Sequence, residues 1–395
     1  MEQTAGRFRY VRNLSDMRLR ARRALPKAIF DYIDGGAEDE VSRRRNRTQF
    51  DRWGFVQRSA VDVSRVDPST TILGQRCAVP FGIGPTGLAG LAWPGAESLL
   101  AARARVARVP FCLSTVASVT IEQAAEAGGP GAWFQLYIFR DRSLSRSLLN
   151  RAKAAGYRIL VITVDCATGG NRERDPLNDF TLPLRATRRN VIDAALRPGW
   201  LLRLVRNGPP RPENMVEAAA KAARSAQGLV AFMSEQLDPS VNWEDVAEFA
   251  AMWEGPVVVK GILAVQDVLR ARDAGASGVV ISNHGGRQLD GAVSPLSVLE
   301  QIRAEVGDDM TLLCDSGFRR GSDILKAIAL GADGVLMGRN TLYGVAAGGA
   351  AGVDHVLHLL CSELVRAMTL LGTPTLADVT RDHVHDLGHW DGTRN

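Results

Sequence analysis

Lysine is scarce in this 395-residue chain: five lysines (Lys27, Lys153, Lys221, Lys260 and Lys326) stand against 43 arginines. Genome composition can set such a bias, so it identifies no partner by itself. The net charge of +5 comes without interleaved aromatic and basic residues or zinc-knuckle spacing, and nucleic acid is not an expected partner. Cysteine is sparse as well. Cys77, Cys112, Cys166, Cys314 and Cys361 are odd in number and form no CxxC, which argues against a disulfide framework or a structural zinc site and favours a reducing compartment. The first residues, MEQTAGRFRYVRNL, hold no apolar segment of the signal-peptide kind. No later run reaches the ~18 apolar residues of a spanning helix. A cytoplasmic protein is expected, with a peripheral place on the inner face of the cell membrane left open. HExxH, P-loop and GxSxG motifs are absent, which removes three common routes to hydrolysis. Gly82 to Gly87 spells GxGxxG, but Pro85 breaks the required turn and no acid follows at the right distance, so the match is discounted.

Short apolar runs alternate with helical patterns from residue 80 onward. The expected strands are Phe81–Ile83, Phe111–Ser114, Trp133–Tyr137, Ile159–Asp165, Val257–Gly261, Val279–Ser282, Leu312–Asp315 and Val335–Gly338. Amphipathic stretches such as 143–155 and 264–274 lie between them. Eight β-then-α units predict a closed (β/α)8 TIM barrel, with an open doubly wound sheet as the alternative. The expected division is an N-terminal helical extension over 1–75, a barrel over 76–375, and a tail over 376–395. A long insert after strand four, about 166–240, interrupts the barrel. Within it, residues 185–211 carry seven arginines against one acid, Asp193, interleaved with apolar residues around Trp200. That composition suits a segment in a membrane interface; a lid over the barrel mouth or a subunit contact is the alternative.

Histidine carries the strongest signal. His284 is the only one before position 355, and it lies in SNHGGRQLD just past strand six. An imidazole three positions from Arg287 suits proton removal from a substrate whose carboxylate the arginine holds. Working residues of such barrels come from the C-terminal strand ends. Here those ends offer Pro85, Thr86 and Gly87; Ser114; Gln135 and Tyr137; Thr163 and Asp165, then Arg172; Lys260; Ser282; Asp315, Gly317 and Arg319; and Gly338 and Arg339. Lys260 ends the run Val257-Val258-Val259, where an ammonium needs an electron-rich partner. The glycine- and arginine-rich loops after strands seven and eight suit a phosphate. A phosphate at one edge and a buried lysine midway across point to a flat phosphorylated cofactor, and flavin mononucleotide (FMN) fits. The terminal HVHDLGH reads as a polar tail, and no metal is expected.

The set PTG, FQLY, TVD, VKG, SNHGGRQLD, DSGFRRGSD and MGR resembles the FMN-dependent 2-hydroxy-acid oxidising family over about residues 24 to 372. GPTGL, GGNRERD, DSGFRRGSDI, TLYG and the basic insert carry a closer likeness to its membrane-associated (S)-mandelate dehydrogenase branch. The resemblance implies oxidation of an (S)-2-hydroxy acid, with electrons passed to quinone or another acceptor, by a homo-oligomer, a tetramer. It implies His284 as the base, oriented by Asp165, and Arg172 and Arg287 as the carboxylate clamp. Tyr32 and Tyr137 would bind the carboxylate or hydroxyl, and Lys260 would face the reduced flavin edge. Pro85, Thr86, Gly87, Ser114, Gln135, Thr163, Ser282, Asp315, Gly317, Arg319, Gly338 and Arg339 would hold FMN. Two positions depart from the glycolate-oxidase pattern. Val116 replaces a pocket tryptophan and leaves room for a larger substrate, and Gly87 replaces an alanine, which argues against oxygen as the main acceptor. A peroxide-forming oxidase of lactate-like or long-chain hydroxy acids is the alternative. An isoprenoid-diphosphate isomerase has no use for His284, Arg172 and Arg287 together.

Overall fold

The computed structural model describes residues 8–181, 184–216, 218 and 235–388. Eight parallel strands form one sheet: Phe81–Ile83, Cys112–Ser114, Trp133–Tyr137, Ile159–Thr163, Val257–Ile262, Gly278–Ile281, Thr311–Cys314 and Gly334–Met337, taken below as barrel strands one to eight. Strand eight returns to strand one through the pairs Val335–Phe81, Leu336–Gly82 and Met337–Ile83. A bridge between Ile83 and Phe111 joins strand one to the start of strand two and closes the ring. A doubly wound sheet would leave two free edges, so the closed (β/α)8 barrel is the fold.

The strands are buried on both faces, as parallel strands covered by helices must be, which is why they read as unbroken apolar runs. Trp133, Ile159, Val161, Val258, Val280, Leu313 and Leu336 fill the barrel interior. A hairpin, Thr70–Ile72 with Gln75–Cys77, plugs the N-terminal end. Its Ile72 and Cys77 join the interior cluster, and Gln75 Oε1 accepts from Trp133 Nε1 at 3.0 Å. The expected first three strands end where the observed ones do, the fifth stopped one residue short, and the fourth, sixth, seventh and eighth ran one or two residues too far at their C-terminal ends. Asp165, Ser282, Asp315 and Gly338 have left the ladder and belong to the mouth loops.

Three helices precede the barrel: Leu14–Ala24, Lys27–Asp34 and Val41–Thr48. The second ends at Asp34, with Gly35 as its C-cap. It is fastened by Asp34, whose carboxylate is buried and accepts from Arg18 Nε at 2.6 Å, Arg43 Nη2 at 2.9 Å and Tyr343 Oη at 2.6 Å, with Arg174 of the insert 3.4 Å away. Burial pushes this carboxyl's pKa up, but Arg18, Arg43 and Tyr343 outweigh it and hold it well below the ordinary range. The result is a helix fixed over the C-terminal mouth of the barrel. The third helix starts where Asp290 accepts from the backbone of Val41 (3.0 Å) and Ser42 (2.7 Å), a cap supplied from 248 residues away. At the other end of the chain, Val384–Asp386 pairs antiparallel with Trp53–Phe55. His383 is buried and its Nδ1 takes the backbone N–H of Thr380 at 3.2 Å; His389 lies outside the described residues.

The stretch Arg339–Leu371 is helical with a kink where Gly348 and Gly349 leave helical geometry. By length and hydropathy it could cross a bilayer. Its apolar side chains instead pack into the core through Val345, Val353, Val356, Leu360 and Leu364.

The insert forms the helices Arg174–Leu177, Arg188–Ala195 and Pro198–Asn207; its residues 182–183, 217 and 219–234 lie outside the described set. Trp200, expected at the centre of an outward apolar stripe, faces inward. It is buried and donates from Nε1 to Leu91 O at 2.8 Å, because an indole N–H next to apolar surface needs a carbonyl partner. The outward apolar residues are Leu177, Val191, Ile192, Leu196, Leu202 and Val205, bordered by exposed Arg185, Arg188, Arg189 and Arg206.

Candidate active site

The turn after strand six is the most constrained part of the mouth. His284, Gly285 and Gly286 are consecutive left-handed residues, with φ of 57°, 68° and 70°. The glycines are needed for close approach as much as for φ. A Cβ at Gly286 would stand 2.6 Å from Arg43 N, and one at Gly285 would stand 2.6 Å from Arg339 Nη1. His284 has no such freedom, so its strained backbone is held by its neighbours, a pattern that concentrates at functional sites. Its N–H donates to Ser282 Oγ at 3.0 Å, and Nδ1 lies 2.9 Å from Asp165 Oδ1. That bond leaves Nε2 as the free ring nitrogen. Burial pushes the Asp165 carboxyl up, but the charges of His284 and Lys260 outweigh it and bring it down to about 2. Its second oxygen, Oδ2, is buried without a hydrogen-bond partner.

Lys260 is buried at the end of strand five. Its Nζ donates to Ser282 Oγ at 2.9 Å and lies 3.2 Å from Asp315 Oδ2. Burial alone would lower its pKa; Asp315 and Asp165 reverse that and keep the ammonium charged.

Tyr32, from the helix Lys27–Asp34, is surrounded by cations. Arg287 lies 5.2 Å and Arg172 5.7 Å from its ring centre, while Phe180 stacks against it at 4.6 Å. Arg287 Nη1 donates to Tyr32 O and Gly35 O, and Arg339 donates to Ile33 O, Gly35 O and Gly285 O. Their hydrogen bonds thus go to carbonyls rather than carboxylates. Burial, then the like charge of Arg172, lowers the Arg287 pKa; burial and Arg287 push Arg339 down to about 9. Cations left in that condition favour an anionic ligand. Tyr137 is held neutral, its pKa raised by burial and then by Cys166 and Asp165.

These residues surround a cavity of about 420 Å³ at the barrel mouth. Of the predicted residues, Tyr32, Pro85, Thr86, Gly87, Tyr137, Arg172, Lys260, His284, Arg287, Asp315, Gly317, Arg319, Gly338 and Arg339 line it. Asp165, Ser114, Gln135, Thr163 and Ser282 do not; they lie behind its wall. Ser114 Oγ donates to Gln135 Oε1 at 3.2 Å, while Gln135 Nε2 and Thr163 Oγ1 are buried with no partner. Gly317 adopts φ 87° against the Asn46 carbonyl, where no side chain could fit. Arg319 Nη1 is aimed by Phe318 O (2.8 Å) and Asn340 Oδ1 (2.9 Å). The loops after strands one and two are joined by buried Glu97, whose Oε1 accepts from Ala89 N and Ser118 N.

Sequence reasoning missed several wall residues: Leu88, Phe139, Phe180 and Leu237, which are apolar, and Cys166, next to Asp165. Phe180 and Leu237 lie in the insert, where nothing in the spelling marks them. Cys166 was findable by adjacency alone.

Residues 21–386 match the model of the FMN-dependent dehydrogenase family. The chain is 43% identical over 376 residues to (S)-mandelate dehydrogenase of Pseudomonas putida, covering 95% of this chain and 94% of that one. It is also 43% identical over 370 residues to L-lactate dehydrogenase of Caulobacter vibrioides, covering 93% and 96%. Among solved structures, the crystal structure of the monotopic membrane protein (S)-mandelate dehydrogenase superposes with a TM-score of 0.92 at 42% identity, covering 95% of this chain and 100% of that one.

Proposed function

Since the chain belongs to the FMN-dependent dehydrogenase family, we propose that it oxidises an (S)-2-hydroxy acid with an aromatic or bulky side chain to the 2-oxo acid. The electrons pass to a quinone-type acceptor at a membrane surface. The observation that carries this reading is one cavity wall holding an imidazole fixed by a carboxylate, and two guanidinia flanking a tyrosine.

The residues present fit FMN. Gln135 Nε2 and Thr163 Oγ1 are buried polar atoms that still need partners, as ring-binding groups would before the ring arrives. Lys260, hydrogen-bonded to Ser282, would face the electron-rich edge of the ring, and Ser114 would help bind FMN. Arg319, Arg339, Gly317 and Gly338 would take the phosphate, and Pro85, Thr86, Gly87 and Asp315 complete the wall. When bound, FMN supplies a two-electron acceptor.

The rest is done by the chain. Arg287 and Arg172 clamp the substrate carboxylate, and Tyr137 and Tyr32 bind the carboxylate or hydroxyl. His284, with Nδ1 turned to Asp165, receives a substrate proton on Nε2, and Asp165 stabilises the charge that results. Val116, Phe139, Phe180 and Leu237 add apolar lining to the cavity, which favours a bulky substituent over the methyl of lactate. The exposed apolar residues of the insert, ringed by arginines, are the surface that would sit in an anionic bilayer.

The test is an anaerobic panel. The yellow holoenzyme should bleach faster with (S)-mandelate than with L-lactate, and His284→Ala should keep its flavin yet react at least ~10²-fold more slowly. Faster bleaching by lactate overturns the substrate assignment. Near-normal His284→Ala rates overturn the site. Co-sedimentation with anionic vesicles, lost when Ile192, Leu196 and Val205 are made serine, tests the membrane surface.

A further inference from the structure

We propose that Asp165, Cys166 and His284 form an inhibitory site for a borderline-soft divalent cation of the Zn²⁺ or Cd²⁺ kind. Among the described residues, this is the one group of three such side chains whose ligand atoms lie within 4.8 Å of one another. Cys166 Sγ is 3.6 Å from His284 Nδ1 and 3.5 Å from Asp165 Oδ1, and Nδ1 is 2.9 Å from Oδ1. A tetrahedral zinc ion with ordinary bond lengths requires separations of about 3.6 Å for S–N, 3.6 Å for S–O and 3.4 Å for N–O. Two of the three edges are therefore already the right length. The third must open by roughly 0.5 Å, or be replaced by an edge to Oδ2. That oxygen is an independent pointer: it is buried and has no hydrogen-bond partner. Cys166 and His284 both line the cavity, so an ion can reach them from the mouth, and a water can take the fourth position.

Binding changes the protons in a defined way. In the metal-free site Cys166 Sγ donates its proton toward Asp165 Oδ1 at 3.5 Å, so the sulfur is present as the thiol. Neutral His284 carries its proton on Nδ1. The ion forms bonds to Sγ, Nδ1 and a carboxylate oxygen. The thiol proton leaves to solvent, and the imidazole proton moves to Nε2. One proton is released per ion. The Nε2 lone pair that faces the cavity is lost, so the imidazole can no longer accept a substrate proton. Lys260, Arg172 and Arg287 oppose the cation; the carboxylate and thiolate together supply two negative charges against it. This inhibition rests on the role given to His284 above, whereas the binding does not.

The experiment uses the flavin-loaded enzyme in metal-free buffer. Zn²⁺ should slow flavin reduction by the 2-hydroxy acid, and Cys166→Ser, measured against its own uninhibited rate, should need at least ~10-fold more Zn²⁺. Cd²⁺ should raise a cadmium–thiolate ultraviolet band with release of one proton. The band should appear in wild type and Cys361→Ser and disappear in Cys166→Ser. Should Cys166→Ser lose flavin, Cys166→Val serves in its place. Equal Zn²⁺ sensitivity with and without Cys166, or a band that persists without it, overturns the site. A Cys166-dependent band with undiminished turnover overturns the inhibition and the role of His284, and leaves only an ion site.

Discussion

Replacing Asp165 with asparagine tests the centre of the mechanism with little change of shape. The carboxyl of Asp165 sits at about 2 against an ordinary 3.8, although burial works the other way. At ~1.4 kcal/mol per pKa unit, neighbouring cations therefore favour the ionised carboxylate by roughly 2 kcal/mol net of burial. His284 is the larger of the two charges responsible and Lys260 the second. Asp165 Oδ1 lies 2.9 Å from His284 Nδ1, so an imidazole that becomes charged during proton abstraction is stabilised by this carboxylate. Asparagine removes the charge and can turn its NH₂ toward Nδ1, which favours the wrong tautomer. Losing ~1–2 kcal/mol of transition-state stabilisation costs about 5- to 30-fold, and the tautomer penalty adds to it, so a fall of ~10²-fold is expected. Stopped-flow reduction of bound flavin by (S)-mandelate is the assay, with the visible spectrum as a check that FMN is retained. The pH window is safe. A depressed carboxyl contributes stability above its unfolded value near 3.8 and loses it as pH falls through about 2, so nothing at Asp165 titrates between pH 5 and 9. A retained rate within threefold of wild type at pH 7 would refute the reasoning.

Three other outcomes follow from single contacts. Met in place of Arg287 or Arg172 should raise the substrate KM more than Lys does, since both lose the planar fork and only Met loses the charge; identical KM values for Met and Lys would place the carboxylate elsewhere. Glu97 is raised by burial in spite of its hydrogen bonds, so the fold binds a proton there more tightly than the unfolded chain and loses stability as pH rises from the ordinary glutamate range. Glu97→Gln should therefore gain stability relative to wild type between pH 5 and 8 in urea melts, and a constant difference across that range would refute it. A Cβ at Gly87 would run into Val116 Cγ2, so Gly87→Ala should cost ~1–3 kcal/mol and Val116→Ala should restore most of it, read as paired thermal melts.

The sequence by itself determined the repeat and many of the residues that line the mouth. Runs such as Gly278–Ile281 are apolar because a parallel strand is covered on both faces, and eight of them separated by amphipathic stretches leave little choice but a barrel. His284, Arg287, Lys260 and Asp165 were legible because a lone imidazole, a cation ending an apolar strand and a strand-end carboxylate are costly unless used. The likeness to an FMN-dependent family then placed Tyr32, which no local pattern singles out. Tertiary structure decided what depends on long-range partners. Trp200 reads as part of an outward stripe, yet its indole reaches Leu91 O, a carbonyl 109 residues away that no window of sequence contains. Asp34 is one acid among many in a charged extension until Arg18, Arg43, Arg174 and Tyr343 converge on it and lock a helix over the mouth. Phe180 becomes a wall of the cavity where it stacks on Tyr32, a residue of the distant N-terminal extension. Periodicity is a local property of the chain, and burial of a polar group against a distant partner is not.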